Sequence, residues 1–493
     1  MIRQSVLLTI RPILAFAPIL LGVAASDVGT AQTLATVNRK QVASTEEDVI
    51  LSDSQVRPRY DFTPSDQLLL DEIQRGCFEY LWREVGSPVP LAKDRRKTRV
   101  SSIAAVGFQL SALPIGVQRG WITRDQGVAR ATEVLRGLLE RADNKKFGVY
   151  LHFVDLNTGG HTTAAPEVFA GTVDHALLVC GAIPAASFFG GEVAELVDRM
   201  ILETKWSKYV NSRGHVSFGW RPEDKATIDG PGAFSPWDWW IASAEEQLVY
   251  FLACSAPDPP ERVPPEIYYQ LARATARHND GPPFVLTWNG ALFTYFFSQC
   301  WIDYRSFDAD DPTQFSVTTP RVDWFENSRR ATLTHRQRCI EAANEFKSFA
   351  ADRWGLSPCT GFKPSGQPTY LVPDVMPNRS ERDNFCFGTV APYAAGSTIV
   401  FTPEESMQAL RAMRELTVAG KPFAWQPIEE GGYGFVDSFN LDQGLASDDH
   451  VGIDVGPMLL AIENARTGLI WKLFMQHATS RRAVKTLKWQ SRN

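Results

Sequence analysis

The sequence predicts an all-α protein, an (α/α)6 toroid in which six outer helices surround six inner helices. Between about Pro64 and Met475, amphipathic helical stretches alternate about six times with stretches that are apolar almost all round. A helix that is apolar on every side must be buried. Several apolar stretches carry an acidic residue near their start, which would collect carboxylates at one mouth of the ring.

The outer helices are predicted from amphipathic periodicity and from signals for helix starts. Thr123 is a favourable N-cap, and Thr402 is followed by a proline and two glutamates, an order typical of a first helical turn. The predicted outer stretches are Ser65–Glu84, Thr123–Ala142, Gly190–Tyr209, Pro264–Arg277, Trp324–Trp354 and the helix that begins at Thr402.

The inner helices are predicted from nearly continuous apolar composition. They are Arg99–Val117, Ala170–Phe189, Pro236–Ser255, Asn289–Tyr304, Phe387–Val400 and Ile453–Phe474. Alternation of apolar and polar residues predicts a few short strands in the loops, at Lys146–Phe153 and at His215–Trp220.

The first residues have the features of an export signal. Arg3 and Arg11 precede an apolar run, Pro12–Ala25, which is too short and too interrupted by proline for a good membrane span. We therefore predict a signal peptide over residues 1–31, a flexible leader over 32–62, one catalytic domain over 63–476 and a solvated or frayed basic tail over 477–493. The expected location is periplasmic or secreted, with no stable membrane span after cleavage; an uncleaved anchor is the alternative.

Composition excludes several classes of function. A net charge of -6 gives no electrostatic case for a nucleic-acid partner. No phosphate-binding glycine loop, dinucleotide fingerprint or nucleophile elbow occurs, and the eight histidines do not cluster as metal ligands. We therefore predict no cofactor and no metal. The seven cysteines form no CxxC motif, and a pair such as Cys359 and Cys386 is at most a candidate disulfide.

Acidic residues on apolar helices are candidates for general acid–base chemistry, which glycosidases perform with two carboxyl groups. Asp174 lies near the start of one inner stretch, where the alternative is a favourable interaction with the helix dipole. Glu245 and Glu246 lie near the start of another and point about 100° apart, so only one easily faces a cavity. Burial there would raise the pKa of a carboxyl group, which suits a general acid.

A third group of acids comes late in the chain. Asp437 lies in a glycine-rich loop, Asp454 begins an apolar helix, and Glu463 lies one or two turns deeper. The alternatives are a helix cap for Asp454 and a buried ion pair with an arginine for Glu463.

Two further clusters are predicted to bind sugar hydroxyls. One contains Asp94 and Arg95, and the other contains Trp301, Asp303 and Arg305. Arginine–aspartate pairs bind hydroxyl groups but are as often structural.

At these residues the chain resembles the glucoamylase-like domain family, which includes bacterial endo-β-1,2-glucanases and the glucanase-like domain of cyclic β-1,2-glucan synthases. The resemblance runs from about Leu68 to Met475. The segments that carry it, in order, are AAVGFQLSALPIGVQRGWITR from Ala104, GTVDHALLVCGA from Gly171, EEQLVYFLACSAP from Glu245, WIDYR from Trp301, NSRRATLTHRQRCI from Asn327, WGLSPC from Trp354, TVAPYAAGS from Thr389, FTPEES from Phe401, YGFVDSFN from Tyr433 and IENARTGLIWK from Ile462.

The resemblance implies an (α/α)6 toroid that acts on β-1,2-linked glucan. Carried over by position, it makes Glu245 the general-acid candidate and Asp174 and Asp437 the further catalytic candidates. Tyr433, at the start of the YGFVDSFN segment, joins Asp454 and Glu463 among the residues expected to bind substrate.

The chain departs from the family at three places. The glutamate that synthase-like members carry five residues before Asp174 is replaced by Phe169, and Glu167 lies two residues earlier. The aspartate of a DGT motif is replaced by Phe387, and the usual SPTHP after the glutamate helix is SAPDPP. Glu167 is therefore the fourth catalytic candidate.

The sequence thus predicts an exported glycoside hydrolase that cleaves β-glucan, with β-1,2-glucan as the favoured substrate and a glucan as its partner. The nearest alternative is transglycosylation within the same fold. A non-catalytic glucan-binding protein is the alternative from another class, which the Phe169 and Phe387 replacements favour. A structural or partner-binding toroid is the third class.

Overall fold

The computed structural model describes residues 60–492, and this part of the chain is mostly helical. The predicted signal peptide and most of the predicted leader lie outside the described residues. The helices, in chain order, are α1 (Pro64–Arg83), α2 (Ile103–Gln118), α3 (Arg124–Leu139), α4 (Thr172–Phe189), α5 (Gly191–Glu203), α6 (Ala244–Cys254), α7 (Pro265–Gln270), α8 (Phe293–Phe296), α9 (Trp324–Glu341), α10 (Pro392–Ser397), α11 (Pro403–Glu415), α12 (Gly452–Thr467), α13 (Leu469–Met475) and α14 (Ala478–Thr486).

Short antiparallel strands connect these helices. They are β1 (Val100–Ser102), β2 (Lys145–Lys146), β3 (Val149–Tyr150), β4 (Phe153–Asp155), β5 (Ala170–Gly171), β6 (Gly219–Arg221), β7 (Ala233–Phe234), β8 (Thr275–Ala276), β9 (Phe284–Val285), β10 (Cys359–Phe362), β11 (Pro368–Leu371), β12 (Thr417–Val418), β13 (Lys421–Pro422), β14 (Trp425–Gln426), β15 (Gly434–Phe435), β16 (Phe439–Asn440) and β17 (Leu445–Ala446). Strands β5, β6 and β7 form one sheet, and β1 pairs with β4. The two predicted strand regions coincide with β2–β4 and overlap β6.

The even-numbered helices from α2 to α12 correspond to the predicted inner stretches, and they contact one another in sequence. Helix α2 packs against α4 and α12, α4 against α6, α6 against α8, and α10 against α12. An edge-to-face pair of rings, Phe296 and Tyr393, with centroids 6.3 Å apart, joins α8 to α10. Helices from the predicted outer stretches pack against the inner helices and against one another: α1 packs against α2 and α12, and α3 packs against α5.

Glycine permits the closest contact between two inner helices, α2 and α4. A Cβ atom at Gly181 would overlap the backbone of Gly107, and a Cβ atom at Gly107 would overlap the carbonyl group of Leu177. Ser111 in α2 donates a hydrogen bond to the Gly181 carbonyl oxygen at 2.8 Å. Helix α4 is long and apolar enough to cross a membrane, but most of it is buried inside the protein.

Several predicted helices are shorter in the structure. The stretch 289–304 contains only the single turn α8 followed by 3₁₀ turns, and α9 ends at Glu341 rather than continuing to 354. The stretch 236–255 becomes helical only at Ala244, because the preceding residues pair with neighbouring chain: Trp239 donates its backbone N–H to the Val216 carbonyl.

The predicted solvated tail is wrong for the described residues, because 478–486 form helix α14 and Leu487 and Trp489 are buried. The Trp489 ring lies 5.5 Å from the Phe251 ring in α6, and Arg492 pairs with Asp323 at 2.6 Å. The candidate disulfide is also wrong: all seven cysteines are free and buried.

Candidate active site

A pocket lies where inner helices α4, α6 and α12 begin. Asp174 and Glu245 occupy the first turns of α4 and α6. The pocket has ≈ 680 Å³ of empty volume, the solvent at its mouth included. We call it the carboxylate pocket. It is lined by Ser102, Ala104, His152, Glu167, Phe169, Val173, Asp174, Leu177, Phe218, Arg221, Ser235, Trp239, Glu245, Phe297 and Ile453.

Glu245 is the carboxyl group of this pocket with the strongest preference for the neutral form. Burial, then the charges of Glu246 and Asp174, raise its pKa well above the ordinary value. Within residues 60–492, no basic side chain forms an ion pair with Glu245. A carboxyl group that keeps its proton at neutral pH has the property a general acid needs.

Glu246 faces away from the pocket, as the 100° separation of neighbouring helical residues requires. Its carboxyl group accepts a hydrogen bond from the Ser243 hydroxyl at the start of α6. Burial raises the pKa of Glu246 to about 7. Only the first residue of the Glu245–Glu246 pair is therefore available to a substrate in the pocket.

Asp174 and Glu167 are joined by a buried histidine, His152. The Nδ1 atom of His152 lies 3.0 Å from a Glu167 carboxylate oxygen, and its Nε2 atom lies 3.5 Å from Asp174 Oδ1. Arg221 contacts the other Glu167 oxygen at 3.3 Å. Burial raises the pKa of Asp174, and the charge on His152 counteracts part of this effect.

Aromatic side chains also line the carboxylate pocket. Phe218 and Trp239 pack with ring centroids 4.0 Å apart, and the Trp239 indole donates a hydrogen bond to the Thr172 hydroxyl at 2.8 Å. The Arg221 guanidinium lies 4.7 Å from the centre of the Phe169 ring. A pocket lined by both carboxyl groups and aromatic rings suits a sugar, whose hydroxyl edges are polar and whose ring faces are apolar.

Asp437 and Asp454 form a second acidic centre, which does not line the carboxylate pocket. Both side chains are buried and interact directly. Burial raises the pKa of Asp437 to about 6, and burial together with the charge of Asp437 raises that of Asp454 well above its ordinary value. Two adjacent carboxylates cannot both ionise easily, so this pair shares a proton at neutral pH.

Asp94 and Arg95 connect the two acidic centres. Arg95 Nε lies 3.1 Å from the Asp94 carboxylate, and an Arg95 Nη atom donates to the Thr360 hydroxyl at 3.2 Å. The Thr360 backbone N–H donates to Asp437 at 2.5 Å. The Asp94 charge also acts on the pKa values of His152 and Asp174, which places it near the carboxylate pocket.

Tyr433 lies beside this connection rather than in the carboxylate pocket. Its hydroxyl group donates to the Glu84 carboxylate at 2.9 Å, and the Arg96 guanidinium lies 5.5 Å from its ring centre.

Four residues expected to bind substrate lie elsewhere, and the structure corrects these predictions. Trp301 is fully buried, stacks on Phe108 at 5.0 Å and donates to the Ser111 hydroxyl, so it belongs to the core. Asp303 and Arg305 pair with each other at 2.8 Å. They follow the C-terminal end of their inner segment, whereas the pocket lies at the N-terminal ends.

Glu463 is also part of the core. It is fully buried, and Arg119 donates to it at 2.7 Å while Gln74 donates at 2.9 Å. The ion pair with an arginine, given above as the alternative, is what the structure contains.

Sequence reasoning missed His152, Arg221, Phe218 and Trp239 as pocket residues. His152 was a weak signal, since it is the polar residue in the otherwise apolar run that precedes β4. The other three reach the pocket because the chain near β6 pairs with β5 and β7, and sequence alone does not reveal such pairing.

The sequence is similar to a family of known proteins and to one characterised glycoside hydrolase. Residues 237–478 match the model of the family described as "Glycoamylase: Putative glucoamylase". An exo β-1,2-glucooligosaccharide sophorohydrolase (non-reducing end) of Parabacteroides distasonis is 28% identical over 474 residues, which cover 89% of this chain. The chain spans only 60% of that relative's length.

Solved structures share the fold. The endo-β-1,2-glucanase from Chitinophaga pinensis superposes with a TM-score of 0.72 at 22% identity, over 87% of this chain and 99% of that one. A β-1,2-glucanase from Parabacteroides distasonis superposes with a TM-score of 0.70 at 25% identity, over 86% of this chain and 60% of that one. The resemblance found in the motifs is thereby confirmed: residues 237–478 match the glucoamylase family model, and the chain is similar to proteins described as β-1,2-glucan hydrolases.

Proposed function

We propose that this chain is an exported glycoside hydrolase that cleaves β-glucan, with β-1,2-linked glucan as its substrate. The observation that carries the proposal is that one pocket contains both Glu245 and Asp174. Among the described residues, Glu245 has no cationic partner, whereas Asp174 lies beside His152. The β-1,2-glucan specificity rests on the names of the Parabacteroides and Chitinophaga proteins to which the chain is similar. Export rests on the signal-like composition of residues 1–31.

We further propose that the helices form an (α/α)6 toroid, with residues 63–476 as the catalytic domain. The successive contacts of the inner helices and the return of α12 to α2 support a closed ring. In such a ring the first turns of α4, α6 and α12 share one face, which accounts for the position of the pocket.

In the proposed reaction, the neutral Glu245 carboxyl group donates its proton to the glycosidic oxygen as the bond to the anomeric carbon breaks. Asp174, ionised beside His152, accepts a proton from the water that attacks the same carbon. The aromatic rings that line the pocket hold the apolar face of the sugar ring. Glu167 is held by His152 and Arg221, so its role is to orient these groups rather than to react.

Asp437 is a second candidate for the base. Its Oδ1 atom is buried and accepts no hydrogen bond from a donor group, and the carboxyl group shares a proton with Asp454. An ionised Asp437 would reach a substrate that extends from the carboxylate pocket past Asp94.

Product analysis with linear β-1,2-glucan tests the hydrolase proposal. We expect short oligosaccharides from the wild type and a loss of rate of about 10²–10⁴-fold in Glu245→Gln, because the proton donor is removed. Glu195→Gln on the exposed face of α5 is the matched control and should retain activity. Glucan that is bound but not cleaved by the wild type would favour the glucan-binding protein, and larger or cyclic products would favour transglycosylation.

The same assay separates the two candidate bases. If Asp174 is the base, Asp174→Asn loses about 10²–10⁴-fold in kcat, whereas Asp437→Asn acts mainly on KM. The opposite pattern would assign the base to Asp437.

A further inference from the structure

His152 neither gives nor takes a proton in the proposed reaction, although it lies between two of the pocket carboxyl groups. The ring is buried and stacks on Phe153, with centroids 3.8 Å apart. The backbone on both sides is fixed, since the His152 N–H donates to the Phe169 carbonyl at 2.7 Å and its carbonyl accepts from the Ile103 N–H at 3.0 Å. The ring therefore has little freedom to turn away from the carboxyl groups beside it.

Both ring nitrogens of His152 face a carboxylate. Nδ1 lies 3.0 Å from Glu167 and Nε2 lies 3.5 Å from Asp174. A neutral imidazole carries a proton on one nitrogen only, so its other lone pair would face a carboxylate oxygen and repel it. When both carboxyl groups are ionised, the arrangement therefore favours a doubly protonated ring.

The charges around His152 agree with this geometry. The acidic groups that act on the ring are Asp174 in α4, Glu167 before β5 and Asp94 before β1. Burial alone would lower the pKa of His152, but these three acids together raise it to about 9. The basic side chain nearby, Arg221 in β6, pairs with Glu167.

The three carboxyl groups of the pocket thus differ in their cationic neighbours. Among the described residues, Glu167 contacts Arg221 and His152, Asp174 contacts His152, and Glu245 contacts no cation. An ionised acid and a neutral acid in one pocket are what an acid–base pair needs.

We propose that His152 is a positioning residue whose imidazolium bridges Glu167 and Asp174, holds Asp174 ionised and in place as the base, and leaves Glu245 as the proton donor. This inference rests on the proposed hydrolase function and names the group that divides the acid and base roles. In this arrangement the Glu167 carboxylate orients the His152 ring and stabilises its positive charge.

The pH profile of His152→Gln tests the role in catalysis. Glutamine retains a hydrogen-bond donor but removes the charge, so Asp174 should ionise at a higher pH. We expect the acidic limb of the kcat/KM profile to move to higher pH by about 1–3 units, while the alkaline limb, which reports Glu245, moves little. If instead kcat/KM falls by the same factor at every pH and the acidic limb stays in place, His152 has only a structural role and the proposal is overturned.

His175→Gln is the matched control. His175 is also buried and is bonded to the Thr204 hydroxyl at 2.9 Å, but it does not line the pocket. The same substitution there should leave both limbs in place.

Nitrogen NMR of the wild-type protein labelled at histidine gives a second measurement, independent of activity. We expect one imidazole to remain protonated at both nitrogens at pH 8 and to lose its proton near pH 9. Eight neutral rings at pH 8 would overturn the proposal even if His152→Gln does not fold. Failure of the hydrolase proposal would appear separately, as an inactive wild type that still shows the charged ring.

Discussion

Glu245 and Glu246 are neighbours in sequence but lie in different surroundings, and the difference decides which of them faces a substrate. Glu245 lines the pocket, whereas Glu246 is bonded to Ser243 behind it. The charge of Glu246 nevertheless raises the pKa of Glu245.

The Glu246→Gln variant tests this coupling. Loss of the neighbouring charge should lower the pKa of Glu245, so Glu245 ionises at a lower pH and the alkaline limb of the activity profile moves down by about one pH unit or less. The measurement is kcat/KM against pH, with Glu195→Gln as the control. An alkaline limb that moves up, or does not move, contradicts the coupling.

At the scale of single residues, the sequence predicted the pocket acids better than their partners. Asp174 and Glu245 were found because an acid in the first turn of an apolar helix is conspicuous. His152 and Arg221 were missed because strand pairing between distant segments brings them there. Trp301 and Glu463 were misassigned because composition does not show which end of an inner helix faces the mouth.

Among the helices, α2 and α4 make the closest backbone contact described above, at Gly107 and Gly181. Gly181→Ala would place a methyl group against the α2 backbone, which has no flexible side chain to move aside. We expect a loss of about 1–3 kcal/mol in the free energy of unfolding, measured by urea denaturation. An unchanged urea midpoint would show that α2 and α4 accommodate the methyl group without any loss in the free energy of unfolding.

At the scale of elements, the sequence predicted α2 and α4 closely, because their apolar composition continues over four or more turns. The predicted inner helix Ile453–Phe474 is divided in the structure, since α12 ends at Thr467 and Gly468, with φ +67°, separates it from α13. The sequence prediction failed for α8 and α10, whose stretches are equally apolar but are divided by turns. Gly290 lies in the left-handed region with φ +67°, just before α8, and its carbonyl accepts from the His335 ring. Tertiary contacts of this kind end a helix where periodicity alone continues it.

For the whole molecule, stability should depend on His335, a buried neutral histidine. Its Nδ1 donates to the Gly290 carbonyl at 3.2 Å and its Nε2 accepts from the Leu356 N–H at 3.0 Å. Burial lowers its pKa to about 4, so as the pH falls below about 6.5 the unfolded chain binds the proton before the folded chain does. The stability that this residue contributes is complete above pH 6.5 and is lost as the pH falls to about 4.

The His335→Gln variant isolates this contribution. The wild type should lose about 3 kcal/mol more than the variant between pH 6.5 and pH 4, because a pKa unit corresponds to about 1.4 kcal/mol. The measurement is the free energy of unfolding by urea at several pH values. Parallel curves for the two proteins would contradict the prediction.

The packing of α1 against α12 also constrains when the protein can complete its fold. The two helices are separated by some 370 positions along the chain, and Trp489 packs beneath the helix that carries Glu245. A chain emerging from a ribosome or crossing a membrane cannot pack α1 against α12 until α12 is free, and contacts between such distant segments form slowly. Until then the apolar flanks of α2 and α4 are exposed, so we expect a newly synthesised chain to need protection from aggregation until α12 has been released.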